Sequence, residues 1–148
     1  MGREAFERAV EAIGRRERSV AELTEWLMAR GFAEEEVAEV IERLIELGEL
    51  DDERFARRYA EDKRELSGWG AERIREALMQ RGIDRDLIET ALGSESRLDQ
   101  VDRAAGLLAG RGVVLDTEPE RARALAFLAR RGYELEVAYE AIRRREAA

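Results

Sequence analysis

The sequence predicts an all-α fold in which a three-helix repeat occurs three times in tandem. The main observation is a motif of arginine, glycine and an apolar residue, whose glycines lie 51 and 50 residues apart. Its three copies are Arg30-Gly31-Phe32, Arg81-Gly82-Ile83 and Arg131-Gly132-Tyr133. A leucine stands four residues before each glycine, and an aliphatic residue stands ten after it. Periods of this length are typical of stacked units that share one core, and such arrays commonly bind other macromolecules.

Composition supports a helical protein and excludes several kinds of chemistry. The 148 residues are 41% charged and 45% hydrophobic, with a single proline. Because histidine and cysteine are absent, the commonest general base, thiol nucleophiles and thiolate metal sites are excluded. No apolar run approaches the roughly 20 residues that span a bilayer, and no signal-peptide pattern opens the chain. We therefore expect a cytoplasmic protein that is not an enzyme and has no cofactor, metal or membrane association.

Repeat one is predicted to cover residues 1–49. Its second helix should begin at a capping box formed by Ser19 and Glu22 and end at Gly31. Its third helix should run from about residue 33 to 47, with Gly48 ending it. The buried face of its first helix is predicted to consist of Phe6, Ala9, Val10 and Ile13.

Repeat two is predicted to cover residues 50–93. An aspartate of the pair at 51–52 should cap its first helix. Phe55 and Tyr59 lie four residues apart, and core packing explains them better than stacking on nucleic-acid bases. Trp69 stands between two glycines, outside any helical stripe, so we weigh an exposed contact residue against a structural anchor of the turn.

Repeat three is predicted to cover residues 94–148, after the polar joint at 93–96. Thr117 and Glu120 form a second capping box, and Pro119 fits in the first turn of that helix. The segment 113–115 is the only strand-like run, and it is too short to change the all-α prediction.

The net charge of −8 is unevenly distributed. Residues 1–50 carry a net −6, residues 51–97 a net −2, and residues 98–148 none. A nucleic-acid binder is usually basic overall, so any surface that contacts phosphates should be local and should lie in repeats two and three. Lys63 is the only lysine among the 26 basic residues, and the other 25 are arginines. Two explanations for this excess of arginine remain open: a bias of genomic base composition, and forked recognition of anions by guanidinium groups.

The central part of the chain closely resembles the RecX family. That family combines a leucine–aspartate–aspartate start, a phenylalanine–alanine pair, a tyrosine, a G-x-G turn and a final glycine–isoleucine pair. The matching residues here are Leu50, Asp51, Asp52, Phe55, Ala56, Tyr59, Gly68, Gly70, Ile74, Leu78, Gly82 and Ile83. We interpret most of them as structural, since capping explains the carboxylates better than metal binding does.

The resemblance implies an elongated, curved array of three-helix units that regulates the RecA recombinase, commonly by inhibition. RecX proteins are thought to lie in the groove of the RecA filament on single-stranded DNA and to limit its growth and activity in recombination and DNA repair. Some relatives are reported to bind DNA directly. In relatives the segment before the G-x-G turn is often strongly basic, whereas residues 60–66 have mixed charge here, which argues against direct DNA contact.

Candidate partner-binding residues follow from the charge distribution and from the position of Trp69, since aromatic and arginine residues are the usual anchors of interfaces. The candidates are Arg57, Lys63, Arg64, Trp69, Arg73, Arg75, Arg121 and Arg123. For the arginines of repeat three, a solvated surface interleaved with glutamates is the alternative. For the whole chain, the alternatives are a helical DNA-binding protein and an adaptor for an unrelated partner.

Overall fold

The computed structural model describes residues 2–147, which form nine α-helices and no strand. The all-α prediction is therefore confirmed, and segment 113–115 lies in a loop. None of the described helices combines the length and apolar character that crossing a bilayer requires. In chain order the helices are α1 (Arg3–Arg15), α2 (Val20–Ala29), α3 (Glu34–Glu46), α4 (Asp52–Ser67), α5 (Ala71–Gln80), α6 (Arg85–Leu92), α7 (Arg97–Gly110), α8 (Glu118–Arg130) and α9 (Leu135–Ala147).

The predicted helix starts are confirmed in atomic detail. The Ser19 hydroxyl accepts a hydrogen bond from the Glu22 amide at 3.1 Å, and the Glu22 carboxylate accepts one from the Ser19 amide at 3.0 Å. Thr117 and Glu120 form the same reciprocal pair at the start of α8. Asp51 caps α4, because its carboxylate accepts a hydrogen bond from the Arg54 amide at 3.0 Å. These contacts satisfy backbone amides that a helix leaves free in its first turn.

The buried face of α1 agrees with the predicted one only in part. Ala5, Ala9 and Ala12 are fully buried, whereas Val10 is 44% exposed. Phe6 and Ile13 are only partly buried and pack at the edge of the core. The prediction was right for Ala9 but wrong for Val10, and it missed Ala5 and Ala12, because it followed the large apolar residues while the closely packed face of this helix uses alanines.

Packing divides the chain into two compact units. The first packing unit contains the residues up to Arg58 together with Leu78–Ile88, and the second contains Tyr59–Ala77 together with Glu89 onward. Helices α4, α5 and α6 each contribute residues to both units. The predicted repeat limits at 49/50 and 93/94 both lie between helices.

Each packing unit has its own apolar core. In the first, α1, α2 and α3 supply fully buried residues such as Leu23, Leu27 and Leu44. In the second, α7, α8 and α9 supply Leu108, Leu128 and their neighbours. The leucine that precedes the repeated glycine is thus buried in both units, as the period-50 pattern indicates.

In the first packing unit, the arginine–glycine pair of repeat two sits on the start of α2. The Ser19 hydroxyl donates to the Arg81 carbonyl at 2.6 Å, and the Arg81 guanidinium donates to the Glu22 carboxylate at 2.6 Å. Partial burial alone would raise the pKa of Glu22, but the hydrogen bonds from Arg81 and from the Ser19 amide lower that pKa below its ordinary value. The capping box therefore also joins two repeats.

Two further contacts complete this junction. The Asp52 carboxylate accepts a hydrogen bond from the Val20 amide at 2.8 Å, so the second aspartate of the pair serves α2 rather than its own helix. Gly82 has a φ of 77° and lies against α2, where an added Cβ would come within 3.0 Å of the Ala21 Cβ. Glycine is therefore favoured at position 82 for two reasons: the backbone is left-handed there, and the close approach between repeats leaves no space for a side chain.

In the second packing unit, the equivalent glycine sits on the start of α5. Gly132 has a φ of 96°, and an added Cβ would come within 3.0 Å of the Arg73 backbone and its Cβ. The Gly70 amide donates to the Arg131 carbonyl at 2.8 Å, and the Glu72 amide donates to the Gly132 carbonyl at 2.9 Å. A side chain at Gly70 would in turn collide with the Gly132 carbonyl group. Repeat three thus supplies carbonyl acceptors to the free amides of α5.

We expect the three repeat glycines to differ in their tolerance of alanine. Gly31 has a φ of 86° but open space around it, so Gly31→Ala should cost only the left-handed strain of about 1–2 kcal/mol. Gly82→Ala and Gly132→Ala add a steric clash and should cost about 1–3 kcal/mol more. Urea unfolding of the three variants measures this directly. Equal losses at all three positions would show that the close approach does not constrain the fold.

Candidate partner-binding site

The candidate site is a cluster of two aromatic and two basic side chains in the second packing unit, which we call the Trp69 cluster: Tyr59, Lys63, Trp69 and Arg73. The Lys63 ammonium lies 4.7 Å from the centroid of the Trp69 ring and 5.4 Å from that of Tyr59. The Arg73 guanidinium carbon lies 4.2 Å from the Trp69 centroid. The two rings meet edge to face, with centroids 6.5 Å apart. Each cation–ring contact is worth about 0.5–1 kcal/mol at a partly exposed position.

Local sequence brings these four residues together. Tyr59 and Lys63 are four residues apart on α4 and therefore share one face of that helix. Helix α4 ends at Ser67, the following Gly68 has a φ of 67°, and the Trp69 amide donates to the Lys63 carbonyl at 3.1 Å. The left-handed Gly68 and this bond turn the chain back, so that the Trp69 ring lies beside Lys63 of α4. Arg73 follows in the first turn of α5.

Residues of repeat three hold the turn that carries Trp69. Three consecutive carbonyl groups at the end of α4, those of residues 67–69, each accept a hydrogen bond from a repeat-three side chain. The donors are Arg131 to Ser67 at 2.7 Å, the Tyr133 hydroxyl to Gly68 at 2.9 Å and Arg103 to Trp69 at 3.2 Å. The last carbonyls of a helix have no partner within it, so these donors fix a segment that would otherwise depend on water.

A buried ion pair supports this set of donors. The Arg103 guanidinium pairs with the Glu95 carboxylate through two hydrogen bonds and also donates to the Tyr133 hydroxyl at 2.9 Å. Burial alone would lower the pKa of Arg103, but Glu95 and Tyr133 raise it above its ordinary value, so the guanidinium stays charged. Burial raises the pKa of Tyr133, which keeps its hydroxyl available as the donor to Gly68.

Two of the predicted contact residues are committed to internal partners. The Arg64 side chain is only 10% exposed, lies 3.4 Å from the Glu95 carboxylate and donates to the carbonyls of Ala91 and Leu92. Arg75 binds Glu89 through two hydrogen bonds and Glu72 through one. The hydrogen bonds with Glu89 raise the pKa of Arg75. These environments favour a structural role for both arginines.

The remaining predicted arginines are in different settings. Arg57 is exposed in the first packing unit, 3.9 Å from Glu53. Arg121 pairs with the Glu118 carboxylate at 2.6 Å and donates to the Leu115 carbonyl at 3.1 Å. Arg123 is exposed on α8. Of the eight candidates, the structure therefore brings Lys63, Trp69 and Arg73 into one site.

The signature residues are mostly interior. Phe55 is buried, with the Arg81 guanidinium 5.0 Å from its ring centroid, which agrees with the preference for core packing. Tyr59 is half-buried and belongs to the Trp69 cluster, so it differs from Phe55 although the spacing grouped them. The other fully buried signature side chains are Leu50, Ala56, Ile74, Leu78 and Ile83.

Sequence reasoning missed Arg103, Glu95 and Tyr133 as supports of the turn. Tyr133 was visible as the aromatic member of the third arginine–glycine motif, but its hydrogen bond to Gly68 spans 65 positions. Arg103 and Glu95 carry no local sequence signal. Among the described residues, no three carboxylates are placed to hold a metal ion together.

We expect Arg103→Met to destabilise the protein by about 2–3 kcal/mol, because it leaves the Trp69 carbonyl without its donor and leaves the Glu95 carboxylate with Arg64 alone. The matched control is Arg97→Met, which removes an exposed pairing with Glu136 and Glu140 and should leave the stability almost unchanged, because solvent screens exposed ion pairs. Unfolding curves measure both losses. Trp69 emission, recorded in a Trp26→Phe background, should shift to longer wavelength only in Arg103→Met. If Arg103→Met lost no more stability than Arg97→Met, Arg103 would not be a support of the turn.

Comparison with known proteins places this architecture in a family. The RecX second three-helix domain matches residues 51–92, and the RecX first three-helix domain matches residues 5–44. The match over residues 51–92 contains Asp51, Asp52 and the Trp69 cluster. The match over residues 5–44 contains the capping box of α2.

Individual relatives agree with the domain matches. A regulatory protein RecX from Deinococcus radiodurans is 40% identical over 136 residues, which cover 91% of this chain and 65% of that protein. One from Mycobacterium sp. (strain JLS) is 34% identical over 134 residues, which cover 86% of this chain and 73% of that protein. The chain thus matches only part of the length of these relatives.

A solved structure shows the same fold. The crystal structure of RecX from Lactobacillus salivarius superimposes with a TM-score of 0.90 at 22% identity, covering 98% of this chain and 96% of that one. The prediction of tandem three-helix repeats is therefore confirmed. With both domain matches, the sequence relatives and the shared fold in agreement, the chain belongs to the RecX family of regulatory proteins.

Proposed function

We propose that this protein regulates the RecA recombinase by binding the RecA filament on single-stranded DNA and limiting its growth and activity. Membership of a family of regulatory proteins supports this role, and the partner follows from what the family resemblance implies. In this proposal the protein has no catalytic activity and acts by occupying the filament.

The observation that carries the proposal is the Trp69 cluster. It combines an exposed arginine and the only lysine of the chain with a half-buried tryptophan, whose turn is held by three side chains of repeat three. A contact surface that is already rigid loses little conformational entropy when it binds. Aromatic and arginine residues in such surroundings are the usual anchors of protein interfaces.

The repeated architecture suggests how modest contacts become effective. A protein with tandem repeats can meet successive subunits of a polymer, and each additional contact becomes intramolecular once the first has formed. Binding across subunits would oppose both addition of new subunits and the changes between subunits that accompany ATP hydrolysis. Inhibition by occupancy therefore needs no active site.

A second candidate, direct binding of single-stranded DNA, is favoured by the same cluster. Its two basic side chains, Lys63 and Arg73, also suit the phosphates of a nucleic acid. The net charge of −8 opposes it, since phosphate binding depends on basic charge. The two candidates differ in salt dependence: affinity for bare oligothymidylate should be weak, and affinity for RecA-coated DNA should not fall with the steep slope of phosphate binding.

The proposal is tested by adding the purified protein to RecA filaments growing on single-stranded DNA. We expect slower filament extension and lower DNA-dependent ATPase activity, because bound protein blocks addition of subunits. Filament length is followed by light scattering or microscopy, and ATPase by phosphate release. If both stay unchanged at a several-fold molar excess over filament subunits, the inhibitory role is wrong.

We expect Trp69→Ala and Arg73→Glu each to weaken binding to RecA-coated DNA by about tenfold, which corresponds to roughly 1.4 kcal/mol. The matched control for the tryptophan is Trp26→Ala, which is also half-buried and has an arginine guanidinium, that of Arg30, 3.5 Å from its ring centroid. The control for the arginine is Arg8→Glu, an exposed position on α1.

Binding is measured by anisotropy of labelled DNA carrying the filament, and melting temperatures show that each variant is folded. Equal losses from Trp69→Ala and Trp26→Ala would mean that the Trp69 cluster is not the anchor. If only the control variants of the first packing unit lost affinity for RecA-coated DNA, the charge distribution would have pointed to the wrong part of the chain.

A further inference from the structure

A second surface in repeat three has features that the Trp69 cluster does not explain. It is a groove beside α8, with a cavity of about 440 Å³, which is within the usual range of about 300–1,000 Å³ for binding pockets. We call it the arginine groove. Its principal lining residues are Arg111, Val113, Val114, Arg123, Phe127 and Arg130.

The charges of the arginine groove lack counter-charges. Arg111, Arg123 and Arg130 are exposed and make no ion pair within residues 2–147. Two other arginines of repeat three behave differently: Arg121 pairs with Glu118, and Arg97 pairs with two glutamates. Three unpaired guanidinium groups along one groove form a site for an anionic partner.

The one acidic residue that lines the groove is already committed. The Glu120 carboxylate accepts hydrogen bonds from the amide and the hydroxyl of Thr117, both at 3.0 Å. Its position in the capping box fixes it to the start of α8. It is therefore a poor internal partner for the groove arginines, and the local charge stays positive.

The floor of the groove is apolar. Val114 is 53% exposed, Val113 and Phe127 are half-buried, and two alanines of α8 complete the lining. A solvated cationic surface would need no such floor. Apolar side chains at the bottom of a cationic rim fit a partner that carries both carboxylates and an apolar side chain.

The aromatic ring of the groove distinguishes a peptide from a nucleic acid. The guanidinium carbons of Arg111 and Arg131 lie 4.5 Å and 5.1 Å from the Phe127 ring centroid. A base would have to compete with these groups for the ring, whereas binding of single strands depends on accessible ring faces. An aliphatic side chain needs only the apolar floor.

From this combination we propose that the arginine groove binds an acidic peptide segment with at least one large apolar side chain. The carboxylates would pair with Arg111, Arg123 and Arg130, in the forked geometry that guanidinium groups favour. The apolar side chain would cover Val113 and Val114. This inference does not depend on the proposed RecA role, because it rests on different residues and is tested without RecA.

The test uses a fluorescein-labelled, glutamate-rich peptide with two adjacent leucines, and the whole 148-residue chain. Three comparison probes are the same peptide with both leucines replaced by serine, a peptide with lysines in place of the glutamates, and oligothymidylate of similar charge. We expect the leucine peptide to bind most tightly and the lysine peptide not to bind. Arg123→Glu and Arg130→Glu should each weaken the leucine peptide by about tenfold, a loss typical of one charge-assisted contact.

Two further variants locate the site. Arg143 is an exposed arginine of α9 outside the groove. Arg143→Glu should have little effect on peptide affinity, because it changes the net charge of the protein but no side chain of the groove. Val114→Ser should weaken the leucine peptide without changing the serine peptide, and melting temperatures show that the variants are folded. The proposal is overturned if the leucine peptide does not bind, if leucine and serine peptides bind alike, or if Arg143→Glu matches the groove variants. It is also overturned if oligothymidylate binds more tightly than the leucine peptide and loses affinity in Arg123→Glu.

Discussion

The rest of the structure depends on a close approach between the arginine–glycine motif of one repeat and the first turn of the second helix in the repeat before it. At Gly82 the neighbour is Ala21, and at Gly132 it is Arg73. In both places the backbone of the motif supplies acceptors for groups at the start of that helix, through Arg81 and through Arg131 and Gly132. Because a Cβ would collide there, each junction admits only glycine without rearrangement.

The junction in the second packing unit also connects fold to function. The approach of Gly132 to α5 brings Arg131 and Tyr133 within hydrogen-bonding distance of the last carbonyls of α4. Arg103, held by Glu95, completes the set. The turn between α4 and α5 is thereby fixed, and with it the position of Trp69 between Lys63 and Arg73. A contact surface formed by local residues of repeat two thus takes its rigidity from repeat three.

The sequence was sufficient for features that depend on local patterns. The period of about 50 residues, both capping boxes and the cap at Asp51 follow from spacing and residue type, and the structure agrees. Long-range contacts were not predictable. Nothing near Asp52 indicates that its carboxylate accepts a hydrogen bond from the start of α2, and nothing near Arg103 indicates that its guanidinium donates to the Trp69 carbonyl. The predicted buried face of α1 was right only at Ala9, because close helix packing there selects alanines over larger residues. Among the candidate contact residues, a single sequence could not distinguish Arg64 and Arg75, which have internal partners, from Arg73.

The central claim is that repeat three holds the Trp69 turn in the form that binds the filament. A double-mutant cycle with Tyr133→Phe and Trp69→Ala, read out as affinity for RecA-coated single-stranded DNA, tests it most directly, since Tyr133→Phe removes only the hydroxyl that donates to Gly68. We expect Tyr133→Phe to weaken binding in the otherwise unchanged protein and to have no further effect once Trp69 is alanine. Fully additive losses, or no loss from Tyr133→Phe in a stably folded protein, would contradict the claim.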